Sequence, residues 1–555
     1  MKKIIAVLIS AVLMLITTSC VVKKSVNSTN VANYIAAADT AKVPKIAKDR
    51  KDTLIVAVGE MTGKFNHLFA ETLNDINVSD LIFDPLVEID IKGKPVEGIS
   101  TYKVSDDGLV YTFFIKDVKF SDGSNVTSDD VEFCFMIMSD SSYTGLYDPV
   151  AMGIKGADDY RSGVSDKISG IRKIDNKTVE ITLNEKNSTF IYNVNFGILS
   201  KSYYGKDYVS GDTSSVEKLL DKPMGSGQYK LEKYETGVMA KLVYNEKYYK
   251  GAPKIKNLIL SQTAVGDEEI KVEKGEADVT VIPATENYLK AAQNAEFIDI
   301  YRYPSNSFGY IGFNCTNELL NDRLIRQAIT YATNRKGVVS QVFGQFASVI
   351  NIPESSMAWS YTTDNIQTYD FNLDTAKLLL EQAGYTMGDD GIMQRDGKKL
   401  VLTITAESPN EVTDVLLPVM KDDLSKVGIK LNIENVDFST LVDKVLNSEA
   451  EMWFLATEMT SDPGAIGEMF ISNGTANYFG FENESIDQYY KLGKAASDFE
   501  ERKSAYIDAY KLLNFEMPLM PIYQRDSLFL ISSRVKGVTV SPYRSIFMDM
   551  YKVRI

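Results

Sequence analysis

The sequence predicts an α/β protein, because helical and strand patterns alternate along the chain. Residues 269–275 have a helical pattern that stops at a glycine, and residues 278–282 form a short apolar run typical of a strand. Residues 400–405, 416–427 and 430–433 repeat this alternation as strand, helix and strand. Such an order is typical of a sheet that is covered by helices.

The remaining elements, taken in chain order, agree with this fold class. Asp107-Gly108 between two apolar runs predicts a hairpin, and Ser128 followed by two acids predicts the start of a helix. The helix with the most regular apolar spacing is predicted at residues 322–343. The other elements are strands at 53–58, 177–183, 308–313 and 528–531, a β-rich stretch at 225–244, and helices at 374–382 and 502–513.

Length and composition exclude several classes of protein. A chain of 555 residues with 44% hydrophobic and 24% charged residues can bury several cores, which excludes wholesale disorder. Its 60 basic and 75 acidic side chains give a net charge of −15, and such a field repels nucleic acids. A single histidine, His67, and three cysteines do not supply the usual ligands of a zinc site, so we expect no metal and no cofactor.

The N-terminus has the pattern of an export signal. Lys2 and Lys3 precede an apolar run at 4–16 that is too short to span a bilayer, so residues 1–19 are predicted to be a signal peptide. Cys20 follows small residues, a pattern that resembles the lipobox of bacterial lipoproteins, in which this cysteine becomes the lipidated N-terminus. Thr17 stands where that pattern usually has an aliphatic residue, so ordinary signal cleavage nearby is the alternative.

Residues 20–49 are predicted to be a lipidated N-terminus followed by a flexible tether. Small and polar residues predominate there without periodicity, and folding is expected to begin at Thr53. Cys134 and Cys315 lie far apart in apolar contexts, which favours two buried free thiols. A disulfide between them is the alternative.

Four sequence blocks, in their order and spacing, resemble one family. They are VSDDGLVYTF with VKFSDG (104–123), PMGSGQYKLE (223–232), IGFN with RQAITYATNR (311–335) and DTAKLLLEQAGY (374–385). The combination resembles the extracellular solute-binding proteins of family 5, the large peptide and nickel type that serves ABC importers. The resemblance runs from about residue 50 to the C-terminus.

The resemblance implies a two-lobed, periplasmic-binding-protein-like fold of the large cluster C type. The expected boundaries are 50–84, 198–302 and 527–555 for lobe I, 85–197 for an extra domain inserted in lobe I, and 303–526 for lobe II. Two crossover segments, near Tyr303 and Tyr523, would form the hinge between the lobes.

The resemblance also implies a function without a catalytic step. Such a protein captures a ligand between hinged lobes, and a transporter then recognises the closed, loaded form. The expected ligand is an oligopeptide, and the expected partners are the permease subunits of an ABC importer and, through the lipid on Cys20, the cell membrane. We expect a monomer on the extracellular or periplasmic side of that membrane.

Peptide-binding members of the family hold an extended peptide as an added strand. Main-chain hydrogen bonds then give affinity whatever the side chains. By position in the blocks, the resemblance places one such edge at residues 71–73, from Glu71 to Leu73. It places the other at Ala456, Thr457 and Glu458. Ordinary loop residues at strand ends are the alternative for both.

In peptide-binding members an aspartate also forms an ion pair with the α-ammonium group of the peptide. The resemblance puts Met459 at the position of that aspartate. A thioether does not neutralise an ammonium group, and a buried unpaired charge is costly. Either Glu458, Asp462 or Glu60 takes over the charge, or the ligand has no free amine there.

Three further side chains are candidates for the binding site. Trp359 is a candidate because tryptophans line ligand pockets by stacking, whereas Trp453 lies in an apolar strand pattern and is expected in the core. Asn314, in the IGFN block, is a candidate for a hydrogen bond near the hinge. His67 is interpreted as a surface or pocket-lining residue near the first predicted edge.

Three other functions stay open from the sequence. Met459 favours the same transport role with an oligosaccharide or another small solute. A surface hydrolase is disfavoured, because no Gly-x-Ser-x-Gly motif occurs and a Ser/His/Asp triad would depend on His67 alone. A glycosidase with two carboxylates stays an alternative, since acids are plentiful. A receptor for signalling peptides would have the same sequence pattern as an importer component.

Overall fold

The structure, a computed structural model, describes residues 33–555. The strands are β1 (Asn33–Ile35), β2 (Thr53–Val58), β3 (Val87–Ile89), β4 (Pro95–Glu97), β5 (Ser100–Val104), β6 (Val110–Ile115), β7 (Ile171–Asp175), β8 (Thr178–Thr182), β9 (Tyr229–Glu235), β10 (Met239–Tyr244), β11 (Asn257–Gln262), β12 (Val279–Pro283), β13 (Ile298–Phe313), β14 (Ala347–Ser348), β15 (Thr386–Met387), β16 (Met393–Arg395), β17 (Lys398–Lys399), β18 (Val401–Glu407), β19 (Lys430–Val436), β20 (Met452–Glu458) and β21 (Leu519–Ser532).

The helices alternate with these strands along most of the chain. They are α1 (Lys45–Asp49), α2 (Leu73–Ile82), α3 (Ser128–Met138), α4 (Ala157–Arg161), α5 (Phe190–Asn193), α6 (Lys201–Tyr204), α7 (Ser214–Glu217), α8 (Glu268–Glu273), α9 (Glu286–Asn294), α10 (Arg323–Tyr331), α11 (Arg335–Phe343), α12 (Leu373–Gln382), α13 (Thr413–Ser425), α14 (Phe438–Leu446), α15 (Pro463–Ile466), α16 (Glu484–Ala495) and α17 (Phe499–Glu516). Short 3₁₀ helices span Thr40–Lys42, Gly467–Met469 and Ile546–Lys552.

Within residues 33–555, twelve strands form one mixed sheet that runs through both lobes. Its order is β19-β18-β20-β13-β21-β12-β2-β11-β10-β9, with β1 paired to β13 and β14 to β21. Strands of lobe I form one half and strands of lobe II the other, and β13 and β21 belong to both. The α/β fold with two lobes is confirmed. Where along the chain each lobe ends stays a prediction.

The two crossover strands, β13 and β21, are antiparallel and change register between the lobes. One register shift lies between Gly309 and Tyr310, and the other lies between Pro304 and Phe308. Just beyond it Gly309 pairs with Tyr523, and a Cβ atom at Gly309 would lie 2.3 Å from the Tyr523 ring. A side chain at position 309 is therefore excluded by the close approach of the ring. The irregular pairing marks the place where the two strands can bend with the smallest loss of ladder hydrogen bonds.

Each lobe buries its own apolar core. The core of lobe I includes Val56 and Phe113, and it is continuous with the segment for which an extra domain is predicted. That segment contains an antiparallel sheet of order β5-β6-β8-β7, against which α3 packs. In lobe II one cluster includes Ile404 and a second includes the buried Trp453, as the apolar strand pattern around Trp453 predicts. Separate cores allow the lobes to move as units.

The predicted strand at 53–58, the hairpin at Asp107-Gly108 and the helix start at Ser128 are confirmed. β2 has the bounds predicted for the first strand, and Asp107-Gly108 joins β5 to β6 in an antiparallel hairpin. α3 begins at Ser128 because the hydroxyl and the backbone N–H of Thr127 both donate to Asp130 Oδ2, at 2.9 and 2.8 Å. These turn and cap residues act within a few positions of themselves, which is why the sequence reveals them.

The predicted tether is wrong for residues 33–49, which are folded onto lobe I. β1 pairs with β13, and the Tyr34 hydroxyl donates to Asp299 Oδ1 at 2.8 Å. Val43 and Ala47 are buried in an apolar cluster with residues of β12 and β21. A few irregularly spaced apolar side chains suffice to bury a short segment against a sheet, and they leave no period to detect. Residues 1–32, with the predicted signal peptide, Thr17 and Cys20, lie outside the described residues.

The single helix predicted at 322–343 is wrong, because the chain forms α10 and α11 there. α10 ends at Tyr331, and the Asn334 side chain accepts a hydrogen bond from the N–H of Gly337 at 2.9 Å. Asparagine is a preferred N-cap, so it begins a new helix. Apolar spacing continues across the break and does not reveal it.

The remaining cysteines and the histidine are structural groups. Cys134 and Cys315 are free thiols, as the sequence favours, but of the two only Cys134 is fully buried and Cys315 is partly exposed. His67 is buried: its Nε2 lies 3.0 Å from Asp80 Oδ1, and its Nδ1 accepts a hydrogen bond from the N–H of Gly197 at 3.3 Å. The surface or pocket-lining position predicted for His67 is therefore wrong.

Within residues 33–555, no helix has both the length and the hydrophobicity that crossing a membrane requires.

Candidate functional site

A cavity of about 650 Å³ lies between the two lobes. Lobe I contributes the end of β2, part of β12, the start of α2 and the segment 540–547. Lobe II contributes residues 458–461, and the irregular segment 305–307 of the crossover strand also lines the cavity. Since both lobes and their connection line it, a movement of the lobes changes its shape. We call this cavity the interlobe cleft.

The lining of the interlobe cleft combines aliphatic side chains with uncharged polar ones. Val58 and Val279 represent the first group, and Asn74, Asn306 and Ser541 represent the second. Amide and hydroxyl groups donate and accept hydrogen bonds without a charge of their own. Such a surface suits a ligand with many peptide-like groups.

Two carboxylates give the interlobe cleft a negative charge. Among the described residues, its charged lining side chains are Glu268, Glu458 and Arg544. The Arg544 guanidinium donates to Asp549 Oδ2 and to Glu88 Oε2, each at 2.7 Å, so its charge is already paired. Neither Glu268 nor Glu458 has a basic nitrogen within 4.0 Å in the described part of the chain.

The last residues of β20 have an unpaired edge beside the interlobe cleft. β20 pairs with β13 along its length but with β18 only at its first two residues, and no other strand in residues 33–555 covers the rest. The N–H of Met459 donates to the carbonyl of Asn306 on β13. Because antiparallel ladders alternate, the N–H and C=O groups of Ala456 and Glu458 point away from β13, and those of Thr457 point towards it.

A second cavity, of about 210 Å³, lies along the same edge. It is formed by the carboxyl ends of β18 and β20 and the starts of α13 and α14. Its wall is mixed: it includes the aromatic rings of Phe438, Phe454 and Tyr523, and the polar side chains of Glu407, Asn410 and Glu411. Ala456 lines this cavity and Glu458 lines the interlobe cleft, so the unpaired edge leads from one to the other. The crevice outside the carboxyl ends of strands is where open α/β sheets bind ligands.

Glu458 is a free carboxylate next to the predicted amine position. Met459 is 2% exposed, and its side chain packs in a core cluster of lobe II while bordering the interlobe cleft. Glu458 immediately precedes it and is exposed. The thioether has no charge to offer an ammonium group, whereas the adjacent carboxylate does.

Asp462 is already engaged by another charge. It is 3% exposed, its Oδ1 accepts a hydrogen bond from Arg502 at 2.6 Å, and it also caps α15 through the N–H of Gly464 at 3.0 Å. Burial lowers the pKa of the Arg502 guanidinium, but the charge of Asp462, the nearby Tyr506 and Tyr192 and the hydrogen bond to Asp462 together hold the pKa above its usual range. A buried, paired carboxylate does not offer its charge to a ligand. Of the three acids considered, Glu458 and the exposed Glu60 are left.

Residues 71–73 do not form a strand edge. The hydroxyl of Thr72 accepts a hydrogen bond from the N–H of Asp75 and caps α2, so Leu73 is the first residue of a helix. The Leu73 side chain is 70% exposed and lines the interlobe cleft. Glu71 pairs with Lys64 at the surface and does not line it. The capping box fixes a helix start where the resemblance predicted an extended edge.

Neither Trp359 nor Asn314 lines the interlobe cleft. The indole Nε1–H of Trp359 donates to the carbonyl of Ser461 at 3.0 Å, and the ring centroid lies 4.8 Å from that of Phe499. Trp359 therefore positions a residue that lines the cleft. The Asn314 amide donates to the carbonyl of Ala450 at 3.3 Å and to that of Ser448 at 3.2 Å, so both of its hydrogen bonds are made within lobe II.

The loop 353–360 braces the crossover strands. The Gln524 amide on β21 donates to Ser355 Oγ at 2.9 Å and to the carbonyl of Ser305 on β13 at 2.8 Å. Glu354 in the same loop accepts hydrogen bonds from two hydroxyl groups, and burial raises the pKa of its carboxyl to about 7. The loop thus connects the hinge segment to the residues behind the interlobe cleft.

Ser188 and Thr189, in the segment predicted to be an extra domain, also contact lobe II directly. The N–H of Ser188 donates to the carbonyl of Lys494 at 2.7 Å, and its hydroxyl donates to the carbonyl of Gly493 at 3.1 Å. Arg502 donates to Thr189 Oγ1 at 3.3 Å. These contacts join the lobes at a place other than the crossover strands, so the lobes touch in this structure.

Sequence reasoning missed Glu268, Asn306, Arg502 and Tyr543. Glu268, Asn306 and Tyr543 line the interlobe cleft from α8, the crossover strand and the C-terminal segment. No motif marks them, because folding alone brings these distant segments together. The prediction of a hinge near Tyr303 is the one signal that points towards Asn306.

In residues 33–555, no three His, Cys, Asp or Glu side chains are grouped so that they could hold a metal ion.

The chain is similar to known solute-binding proteins. Residues 94–478 match the profile of the bacterial extracellular solute-binding proteins, family 5 Middle. The oligopeptide-binding protein AppA of Bacillus subtilis is 26% identical over 508 residues, which cover 89% of this chain and 90% of AppA. The heme-binding protein A of Haemophilus influenzae is 24% identical over 485 residues, which cover 84% of this chain and 85% of that protein.

A solved structure extends the similarity to the whole fold. The structure of AppA from Bacillus subtilis in complex with a nonapeptide superposes with a TM-score of 0.70 at 25% identity. The match covers 91% of this chain and 99% of the AppA chain. The two-lobed arrangement therefore has a counterpart in which a peptide is bound.

Proposed function

The chain belongs to family 5 of the bacterial extracellular solute-binding proteins, and from this membership we propose that it captures an oligopeptide between its lobes and delivers it to an ABC importer. The family binds solutes, and the proposal contains no chemical step on the ligand. A peptide ligand is supported by the relative named as an oligopeptide-binding protein and by its complex with a nonapeptide.

The observation that carries this proposal is the unpaired edge of β20. The main-chain groups of Ala456 and Glu458 point away from β13, between the interlobe cleft and the second cavity. An extended peptide added to this edge forms main-chain hydrogen bonds and runs from the interlobe cleft into the second cavity. An oligosaccharide, the alternative ligand, makes no comparable use of a strand edge.

We assign the ligand's α-ammonium group to Glu458. This carboxylate is exposed, lines the interlobe cleft and has no basic partner among the described residues. Leu73 contacts the ligand from lobe I, and Met459 borders the amine position. Thr457, Trp359 and Asp462 support the site from behind.

The charge of the interlobe cleft disfavours a haem ligand, although one relative is named as a heme-binding protein. Haem carries two propionate carboxylates. They would face Glu268 and Glu458, while Arg544 is paired with Glu88 and Asp549. Like charges at a desolvated contact are costly. The same cleft favours the ammonium group of a peptide.

Binding is coupled to closure of the lobes. A ligand that touches both residues 458–461 and the wall of lobe I binds the closed form better than the open one, and so shifts the equilibrium towards closure. The hinge lies at the register shift near Asn306. The contacts of Ser188 and Thr189 with lobe II are features of the closed form, which the importer recognises.

Export and anchoring complete the proposal. Residues 1–19 direct the chain out of the cell, and Cys20 carries the lipid that holds it at the outer face of the membrane, where the binding protein acts as a monomer. A pattern of basic residues, a short apolar run and small residues before a cysteine supports this assignment.

Replacing Ala456 by Pro tests the strand edge. The variant removes an N–H that points outwards, so the ladder with β13 stays intact and thermal stability is expected to be unchanged. Peptide affinity is expected to fall about tenfold, since a main-chain hydrogen bond contributes about 1–1.5 kcal/mol. Isothermal titration calorimetry with a pool of synthetic peptides of five to nine residues measures the change.

The matched control is Thr457→Pro, which removes an N–H that points towards β13. This variant is expected to lower the melting temperature, because a ladder hydrogen bond is lost. Unchanged peptide affinity in Ala456→Pro would sink the strand-edge proposal. Failure of every peptide to bind the unaltered protein would sink the peptide ligand itself.

A further inference from the structure

One wall of the interlobe cleft is aliphatic and ends in a carboxylate. Val58 at the end of β2 and Val279 and Val281 on β12 line this wall, and Glu268 begins α8 beside them. Val281 is 48% exposed, although it lies in a strand of the central sheet. α8 packs through Val272 on the opposite face of the sheet, which carries Ala57 and Ile282, and its first residue, Glu268, lines the same cavity as the valines.

The Glu268 carboxylate has no counter-charge among the described residues. Its Oε2 accepts a hydrogen bond from the N–H of Gly266 at 2.7 Å. No Lys, Arg or His nitrogen lies within 4.0 Å of it in residues 33–555. The basic residue of the same helix, Lys271, directs its Nζ to Ser261 Oγ and to the carbonyl of Gln262, at 3.3 and 3.4 Å.

We propose that Val58, Val279, Val281 and Glu268 form a subsite for a lysine or arginine side chain of the bound peptide, an inference that rests on the proposed function. The aliphatic stem of the side chain packs on the three valines, and its cationic head donates to Glu268. Lysine and arginine bury their stems on apolar surfaces in this way while their charges find a polar partner.

The charges of the whole interlobe cleft support this choice of ligand. Arg544 is paired with Glu88 and Asp549, so among the described lining residues the unpaired charges are the carboxylates of Glu268 and Glu458. A peptide whose α-ammonium group pairs with Glu458 leaves Glu268 for a second cation. Peptides with an acidic side chain meet repulsion at the same place.

Pools of pentapeptides test the subsite. One position at a time is fixed as lysine, norleucine or glutamate, and the other positions are mixtures of Ala, Leu, Ser and Tyr. Norleucine keeps the aliphatic stem and lacks the charge. At one position the purified protein is expected to retain the lysine peptides about tenfold over the norleucine peptides, as measured by mass spectrometry of the bound fraction.

The variant Glu268→Gln is expected to lose this preference while it still retains the norleucine peptides. Glu276→Gln, which removes an exposed acid of the same lobe outside the interlobe cleft, is the matched control and is expected to keep it. Equal retention of lysine and norleucine peptides at all five positions, or a preference that survives Glu268→Gln, overturns the subsite alone. Retention of no pool overturns the proposed function together with the subsite.

Discussion

Replacing Glu458 by Gln is expected to weaken the binding of peptides with a free N-terminus by about 30-fold. Glu458 lines the interlobe cleft next to Met459 and has no basic partner among the described residues, so the variant leaves the ligand's ammonium group without a counter-charge. A hydrogen bond to a charged group contributes about 1.5–3 kcal/mol, and 2 kcal/mol is about 30-fold in affinity. Isothermal titration calorimetry at constant ionic strength measures the loss.

The N-acetylated form of the same peptide is the internal control. Acetylation removes the ammonium group, so the unaltered protein and Glu458→Gln are expected to bind the acetylated peptide equally. Glu60→Gln is the matched variant, because Glu60 is an exposed acid that does not line the interlobe cleft. A loss in Glu60→Gln with none in Glu458→Gln would move the amine site to Glu60. Equal loss for the free and the acetylated peptide would contradict an amine contact at Glu458.

Replacing Arg502 by Met is expected to lower the free energy of unfolding by about 3–5 kcal/mol, the usual cost of leaving one charge of a buried pair without its partner. Asp462 is 3% exposed, and its Oδ1 accepts the Arg502 hydrogen bond at 2.6 Å. The variant also removes the contact of Arg502 with Thr189 between the lobes. Urea denaturation followed by circular dichroism measures the change.

A double variant separates the buried charge from the lost packing. Asp462→Leu combined with Arg502→Met removes both charges and is expected to recover part of the stability, because replacing a whole buried pair by apolar groups is often neutral. Lys398→Met removes an exposed pair with Glu318 in the same lobe and is expected to have no measurable effect. If Arg502→Met were as stable as the unaltered protein, the ion pair between Arg502 and Asp462 would not stabilise the segment that follows residues 458–461 of the cleft wall.

Local signals explain which parts of the fold the sequence predicts. The Asp107-Gly108 turn and the residues around Thr127 act on their immediate neighbours, and both give the observed hairpin and helix start. The two lobes follow from the resemblance, which rests on blocks spread over most of the chain. The break at Asn334 escapes prediction because a cap residue competes with a helical apolar pattern that continues past it.

The candidate site is harder to predict, because its residues meet only after folding. Glu268 and Asn306 come from separate elements that the sheet brings to one cavity. The sequence offers Asp462 as a free acid, since Arg502 lies 40 residues away and nothing in the sequence shows that they pair. Leu73 is predicted to bind through a strand edge, whereas the cap at Thr72 makes it the start of a helix.

The most direct test of peptide capture is native mass spectrometry of the purified protein, followed by acid release and sequencing of whatever it carries. Peptide capture predicts a ladder of co-purified peptides whose masses shift on digestion with a peptidase and among which lysine- and arginine-containing sequences are enriched. A single co-purified mass that resists peptidase and contains no amino acids would contradict it, and would make Met459 the mark of a different ligand.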